Sequence, residues 1–225
     1  MENIYESADM KKYIVKKKNP SLPTTNMELN SRTLVVGASG SGKTVWLANY
    51  IKSCPDTFHH IYICYKDMEP IYEMLKDKLK GSVTFYDNPS KIPPLNKLAE
   101  KFDKKDNILL VIDDWLDAAA KYPIFNDIYI RGRKYLTSIF LSQSFHELPL
   151  MWRNQMTYLI ILKLTNNADC KLILTKYLLH YDIDTLMDFY RKATAVKFHF
   201  LKISVSEQDV NKKYSHGYLD YLTDE

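Results

Sequence analysis

The chain has 225 residues, 46% of them hydrophobic, and a formal net charge of +4, which suits one domain-sized core and is too mild to name a polyanionic partner by itself. No apolar run approaches the ~18 residues of a membrane span, and the opening "MENIYESADMKKYIVKKKNP" lacks the apolar core of a signal peptide or anchor. Cys54, Cys64 and Cys170 stand far apart with no Cys-x-x-Cys, and the six histidines show no ligand spacing, which argues against a disulfide frame or a zinc site and for a reducing compartment.

In chain order, Lys11, Lys12, Lys16, Lys17 and Lys18 precede the proline-bearing "NPSLPTT". Residues 1–30 therefore read as a basic N-terminal arm or edge strand beside a main domain of 31–225. That domain opens on "TLVVG" from Thr33, an apolar run expected to form a buried strand. "VVGASGSGKT" follows at 35–44 and holds three of the chain's six glycines, Gly37, Gly40 and Gly42. The spacing Gly37, four residues, Gly42, Lys43, Thr44 meets the P-loop pattern in full. "KTVWLANYIKS" reads as the next helix, with Val45, Leu47, Ala48 and Ile51 on its apolar stripe. A strand, glycine loop and helix in that order place backbone N–H groups and the positive end of a helix dipole around an anion. The binding loop is thus Gly37, Ala38, Ser39, Gly40, Ser41, Gly42, Lys43 and Thr44. Lys43 is expected on the β- and γ-phosphates of ATP, and the Thr44 hydroxyl on Mg²⁺.

Downstream, strand and helix patterns alternate. "HHIYICY" (59–65) is a strand, "MEPIYEMLKDKLKG" (68–81) a helix ended by Gly81, "SVTFYD" a short strand, and "IPPLNKLAEKF" a helix with prolines at its start. "NILLVIDDW" (107–115), "YLTSIFLSQS" (135–144) and "MTYLIILKLT" (156–165) are strands apolar on both faces. The order predicts an α/β fold with a mostly parallel sheet, helices on both faces, and a ligand at the carboxyl ends of the strands. Asp113 and Asp114 end such a strand, which is the Walker B arrangement. Asp113 would hold the Mg²⁺ shell and Asp114 would orient or deprotonate the attacking water. A strand-end acid pair also suits the cap of a following helix, "DDWLDAAAKY". Gln143 ends the next strand and reaches the same edge if the two strands are neighbours, where it could sense the γ-phosphate or position water. Beyond residue 166, "LLHYDIDTLMDFYRK" reads as helix and "TAVKFHFLKISV" as an alternating strand. Trp46, Trp115 and Trp152 read as core residues.

The P-loop, the Asp-Asp strand end, "LSQS" followed by "FHELP", and "WRNQMTYLIILKLTNN" together resemble the genome-packaging ATPases of large DNA viruses and virophages, poxvirus-type enzymes of the FtsK/HerA superfamily. The resemblance spans residues 30 to 165. It implies an additional-strand P-loop fold, hydrolysis of ATP with Mg²⁺, and a homo-oligomeric ring, hexameric or pentameric, that moves double-stranded DNA into a capsid without reading its sequence. It further implies capsid vertex proteins as partners and a site of action in host cytoplasm or viral factory, associated with the virion. Lys43 and Thr44 match its Walker A pair, Asp113 and Asp114 its Walker B acids, and Gln143 the polar residue of the following strand.

A shared hydrolysis site across a ring interface calls for an arginine finger from the neighbouring subunit. Arg131, Arg133 and Arg153 compete for that role, and the resemblance places an arginine at Arg133. Two other functions use a P-loop. A small-molecule kinase would carry an arginine-rich lid and a substrate pocket, and a nucleotide-dependent assembly scaffold would bind ATP without turnover. A GTPase would need Asn-Lys-x-Asp, which "NKLA" at Asn96 does not supply.

Overall fold

The computed structural model describes residues 10, 15, 17–115, 121–146, 148–178 and 181–223. Nine strands form a single sheet in the order β3-β2-β4-β5-β1-β6-β7-β8-β9. They are β1 (Arg32–Val36), β2 (His60–Cys64), β3 (Val83–Tyr86), β4 (Ile108–Asp113), β5 (Thr137–Ser142), β6 (Tyr158–Ile161), β7 (Leu201–Ser204), β8 (Tyr214–His216) and β9 (Asp220–Tyr221). The first six run parallel, and β7, β8 and β9 extend the sheet antiparallel. Parallel strands need crossovers, and the crossovers here are helices, so both faces are covered. β1, β4 and β5 are accordingly buried at every position.

Side-chain alternation divides the core in two. Val35, Ile63, Val111, Leu141 and Ile160 face α2 (Lys43–Ser53) and α3 (Pro70–Lys78). Val36, Cys64, Ile112, Phe140 and Ile161 face the other layer, which holds α4 (Leu95–Glu100), α5 (Pro123–Arg131), α6 (Leu150–Arg153), α7 (Asn167–Thr175) and α8 (Ile183–Ala193). Tyr129 stacks on Trp152 there at 4.3 Å between ring centroids, 11° from parallel. A one-turn helix α1 (Leu22–Thr25) precedes β1.

Three expectations change. The buried face of α2 carries Thr44, Trp46, Leu47, Tyr50 and Ile51 rather than the stripe through Val45 and Ala48. The cause is the antiparallel extension, whose Phe200 and Tyr218 give Trp46 and Tyr50 aromatic partners beyond the parallel sheet. The segment 194–205 is a strand only over Leu201–Ser204, because Phe198 takes φ +70, a left-handed conformation that a strand cannot contain. Among the described residues of 1–30 there is α1 and no edge strand. Lys17 donates to the carbonyls of Asp106, at 2.8 Å, and Tyr135, and Met27 is in the core, so the stretch before β1 is fastened to the domain. Lys11, Lys12 and Lys16, the 116–120 part of the helix expected after the acid pair, Glu147 of "FHELP", and residues 179–180 of "LLHYDIDTLMDFYRK" lie outside the described residues. That last helix begins at Ile183, capped by Asp182 Oδ1 accepting from the Thr185 N–H at 2.7 Å. Cys54, Cys64 and Cys170 are free and buried, and no described helix is long and apolar enough to cross a membrane.

One lysine is buried without an acid. Lys202 of β7 is fully enclosed and donates to the carbonyls of Thr25 and Tyr218, tying the segment before β1 to the β8–β9 turn. Burial lowers its pKa from 10.5 to about 8. Between those values the unfolded chain holds the proton and the folded chain does not, so this residue's contribution to stability rises with pH through the window. Wild type should therefore gain about 2 kcal/mol on a Lys202→Met variant between pH 7 and pH 10 in denaturant titrations. A pH-independent difference between the two would show that Lys202 stays charged in the fold.

Candidate nucleotide site

The site stands where β1, β4 and β5 end. β5 lies between the P-loop strand and the Walker B strand, with Val36 opposite Ser142 and Asp113 opposite Leu141. Gly37 N–H reaches the Ser142 carbonyl at 3.2 Å and Asp114 N–H the Leu141 carbonyl at 3.2 Å, so the three chains leave the sheet side by side. Their next residues form a cavity of about 270 Å³ lined by Ser39, Gly40, Gly42, Lys43, Thr44 and Val45 from the loop and first turn of α2. Asp113, Asp114 and Gln143, then Lys66, Asp67 and Glu69, and finally Lys197 and Phe198 complete the lining.

Two glycines are fixed by the geometry. A Cβ on Gly37 would lie 2.4 Å from Ser41 Oγ and 2.9 Å from Leu162 Cβ. Gly42 caps α2 at φ +98, and a Cβ there would lie 2.3 Å from the Phe198 ring. The first-turn N–H groups of α2 have no partner within the helix and face the cavity beside them. Lys43 Nζ donates to the carbonyls of Gly37 at 3.0 Å and Ala38 at 3.2 Å. Burial lowers its pKa, opposed by Asp113, Asp114 and Glu69.

The two acids are held differently. Asp113 is buried and its Oδ2 accepts from the Tyr72 hydroxyl at 2.6 Å. Burial raises its pKa to about 6, with the Tyr72 hydrogen bond pulling the other way. Asp114 takes φ +57, a left-handed conformation that Asp tolerates better than most residues, and this turns its side chain away from the strand's alternation. Its Oδ2 accepts from Gln143 Nε2 at 3.1 Å. Thr44 and Asp113 line the same cavity with a hydroxyl and a carboxylate oxygen, a donor chemistry that suits Mg²⁺ with waters completing its shell. Among the described residues no group of three or more His, Cys, Asp or Glu stands in metal-holding geometry.

The structure thus brings Lys43, Thr44, Asp113, Asp114 and Gln143 together, and leaves the three arginines apart from them. Arg133 lies in the turn before β5 and lines a separate cavity with Arg32 and Thr157, at the amino ends of β1, β5 and β6. Arg131 is exposed and pairs with Asp127 at 3.7 Å. Arg153 lies 5.5 Å from the centre of the Phe145 ring. Tyr72, Glu69, Lys197 and Phe198 are site residues that sequence reasoning missed. Tyr72 sits at core spacing with Leu75 on α3, so its pattern is that of any packed aromatic.

The family described as Poxvirus A32 protein matches residues 24–214. The DNA packaging protein OPG160 of Variola virus is 23% identical over 142 residues, 59% of this chain and 53% of that protein. The chain therefore spans about half the length of the curated relatives it matches. The genome packaging NTPase B204 from Sulfolobus turreted icosahedral virus 2, solved in complex with AMPPCP, has a similar fold. Its TM-score is 0.56 at 17% identity, covering 84% of this chain and 97% of that one. EssC (ATPases 2 and 3) from Geobacillus thermodenitrificans gives a TM-score of 0.56 at 10% identity, over 87% of this chain and 40% of that one. With its P-loop, acid pair and glutamine on three adjacent strand ends, and the match reaching from Thr24 in α1 to Tyr214 at the start of β8, the chain belongs to the Poxvirus A32 protein family.

Proposed function

We propose that the protein is an ATP-hydrolysing motor that moves viral double-stranded DNA into a capsid. The observation that carries this reading is the convergence of Asp114 and Gln143 beside the P-loop, since a site built only to hold nucleotide has no need of an oriented second acid. Family membership supports it, as do the packaging roles that the names of the Variola protein and of B204 state for those proteins. Residues 31–225 are the ATPase domain in this reading, with 1–30 as its N-terminal arm.

The chemistry follows from the walls. Backbone N–H groups of the loop and Lys43 hold the triphosphate, and Thr44 and Asp113 hold Mg²⁺, which when bound supplies charge neutralisation at the β- and γ-phosphates. Asp114, held by Gln143, orients the attacking water and accepts its proton. The partners are double-stranded DNA bound through its phosphates, further copies of the chain in a ring of five or six, and capsid vertex proteins. The place of action is the host cytoplasm or viral factory, and the three free buried thiols suit a reducing compartment.

The test is steady-state ATP hydrolysis with and without double-stranded DNA. Stimulation by DNA is expected, with the salt sensitivity of phosphate contacts. Phosphoryl transfer to a metabolite would mark a kinase instead, and nucleotide binding without turnover a scaffold. The acids separate further. Asp113→Ala should weaken the Mg²⁺-dependent part of nucleotide binding. Asp114→Asn should bind nearly as wild type and turn over about 10²–10⁴-fold more slowly, because a base acts mainly in the transition state. Equal losses of affinity in both variants would make Asp114 a second metal-shell residue.

A further inference from the structure

Part of the cavity lining comes from the segment between α8 and β7. Phe198 sits there at φ +70, a conformation that a bulky aromatic adopts only when its surroundings compel it, and such strain gathers at ligand clamps. The residue is 42% exposed, so the strain does not serve to bury it. The Cδ1–Cε1 edge instead rests on Gly42, the residue before Lys43, where even a methyl group would collide. Lys197 Nζ lies 4.9 Å from the ring centre, and both side chains line the cavity with Val45.

We propose that Phe198 is the stacking platform for the base of the bound nucleotide, held over the P-loop by the antiparallel extension of the sheet. The inference rests on the nucleotide reading above. A triphosphate on the loop and first turn of α2 leaves its nucleoside to lie against the rest of the cavity lining, which includes Phe198. The Phe198 ring, edged against Gly42 with Lys197 Nζ over it, supplies apolar surface in that lining. Val45, turned from the core into the cavity, adds apolar surface on the same side. Phe198 touches neither the reacting phosphate nor the metal ligands, so its contribution lies in affinity and placement.

Binding measured by calorimetry with two probes isolates that contribution. AMPPCP carries a base, whereas inorganic tripolyphosphate carries only the phosphates. Phe198→Ala should bind Mg²⁺·AMPPCP roughly 5- to 150-fold more weakly, the range for loss of one base–aromatic stack, and tripolyphosphate as wild type does. Phe198→Tyr, which keeps the ring, should restore AMPPCP binding, and the unchanged tripolyphosphate binding of Phe198→Ala excludes a folding defect as the cause. AMPPCP affinity unchanged in Phe198→Ala would overturn the platform, as would equal losses for both probes or tighter binding of both, the last being the mark of a ring that obstructs the pocket. Failure of wild type to bind either probe would instead overturn the nucleotide site itself.

Discussion

Replacing Lys43 with alanine is expected to lower ATP hydrolysis by about 10³-fold or more while leaving the fold intact. Removing a single neutral donor from a charge-stabilising site costs about 10²–10³-fold in comparable cases, and Lys43 brings a full charge. Its surroundings enlarge the effect. Asp113, Asp114 and Glu69 all act on its ammonium, and without it their negative charge meets the triphosphate uncompensated. The side chain ties down only the carbonyls of Gly37 and Ala38, which stand at a loop that water reaches, so thermal melting should change little. Phosphate release with Mg²⁺·ATP measures the first quantity and circular dichroism the second. Turnover within a few-fold of wild type in a folded variant would remove the P-loop assignment.

The second large effect belongs to Arg133. Its turn opens the amino end of β5 and the P-loop follows the carboxyl end of β1, so Arg133 and its own chain's cavity are at opposite edges of one sheet. Any part it takes in hydrolysis is therefore played in a neighbouring subunit. A finger of this kind contributes about 10³–10⁵-fold, and Arg133→Ala in the assembled protein should lose activity on that scale. Mixing supplies the decisive result. A Lys43→Ala subunit retains its arginine and an Arg133→Ala subunit retains its P-loop, so in a head-to-tail ring mixed one to one about a quarter of interfaces pair the two intact halves. Two dead preparations should regain measurable hydrolysis on mixing. A mixture that co-assembles and stays dead would discharge Arg133. The test would then pass to Arg131, exposed with its Asp127 pair, and to Arg153, partly enclosed against Phe145.

Much of this architecture is legible along the chain because its signals are local. A P-loop is written in consecutive residues, since its chemistry is one strand end, one turn and one helix start, and Lys43 to Ser53 is the helix that the sequence predicts. Strands buried on both faces are apolar throughout, so β4 and β5 stand out. The adjacency of Asp114 and Gln143 depends on β4 and β5 being neighbours. The sequence posed that as a condition and the strand order met it.

The amino-acid sequence by itself determined the alternating α/β class, the phosphate loop and the two strand ends that carry acids and amide, because each is specified by periodicity or by residues a few positions apart. Tertiary structure alone decided what completes the site. Tyr72 reaches Asp113 from 41 residues away in the chain, and Phe198 rests on Gly42 from beyond the last parallel strand. Neither pairing leaves a local pattern: a tyrosine at core spacing and a phenylalanine in an apolar run look like packing until a sheet brings distant segments to one edge. Lys202 is of the same kind, a charge within an alternating run that is buried only because β8, β9 and the segment before β1 close over it. Burial and backbone strain are properties of the assembled layers, and the residues they govern are those that only the fold could assign.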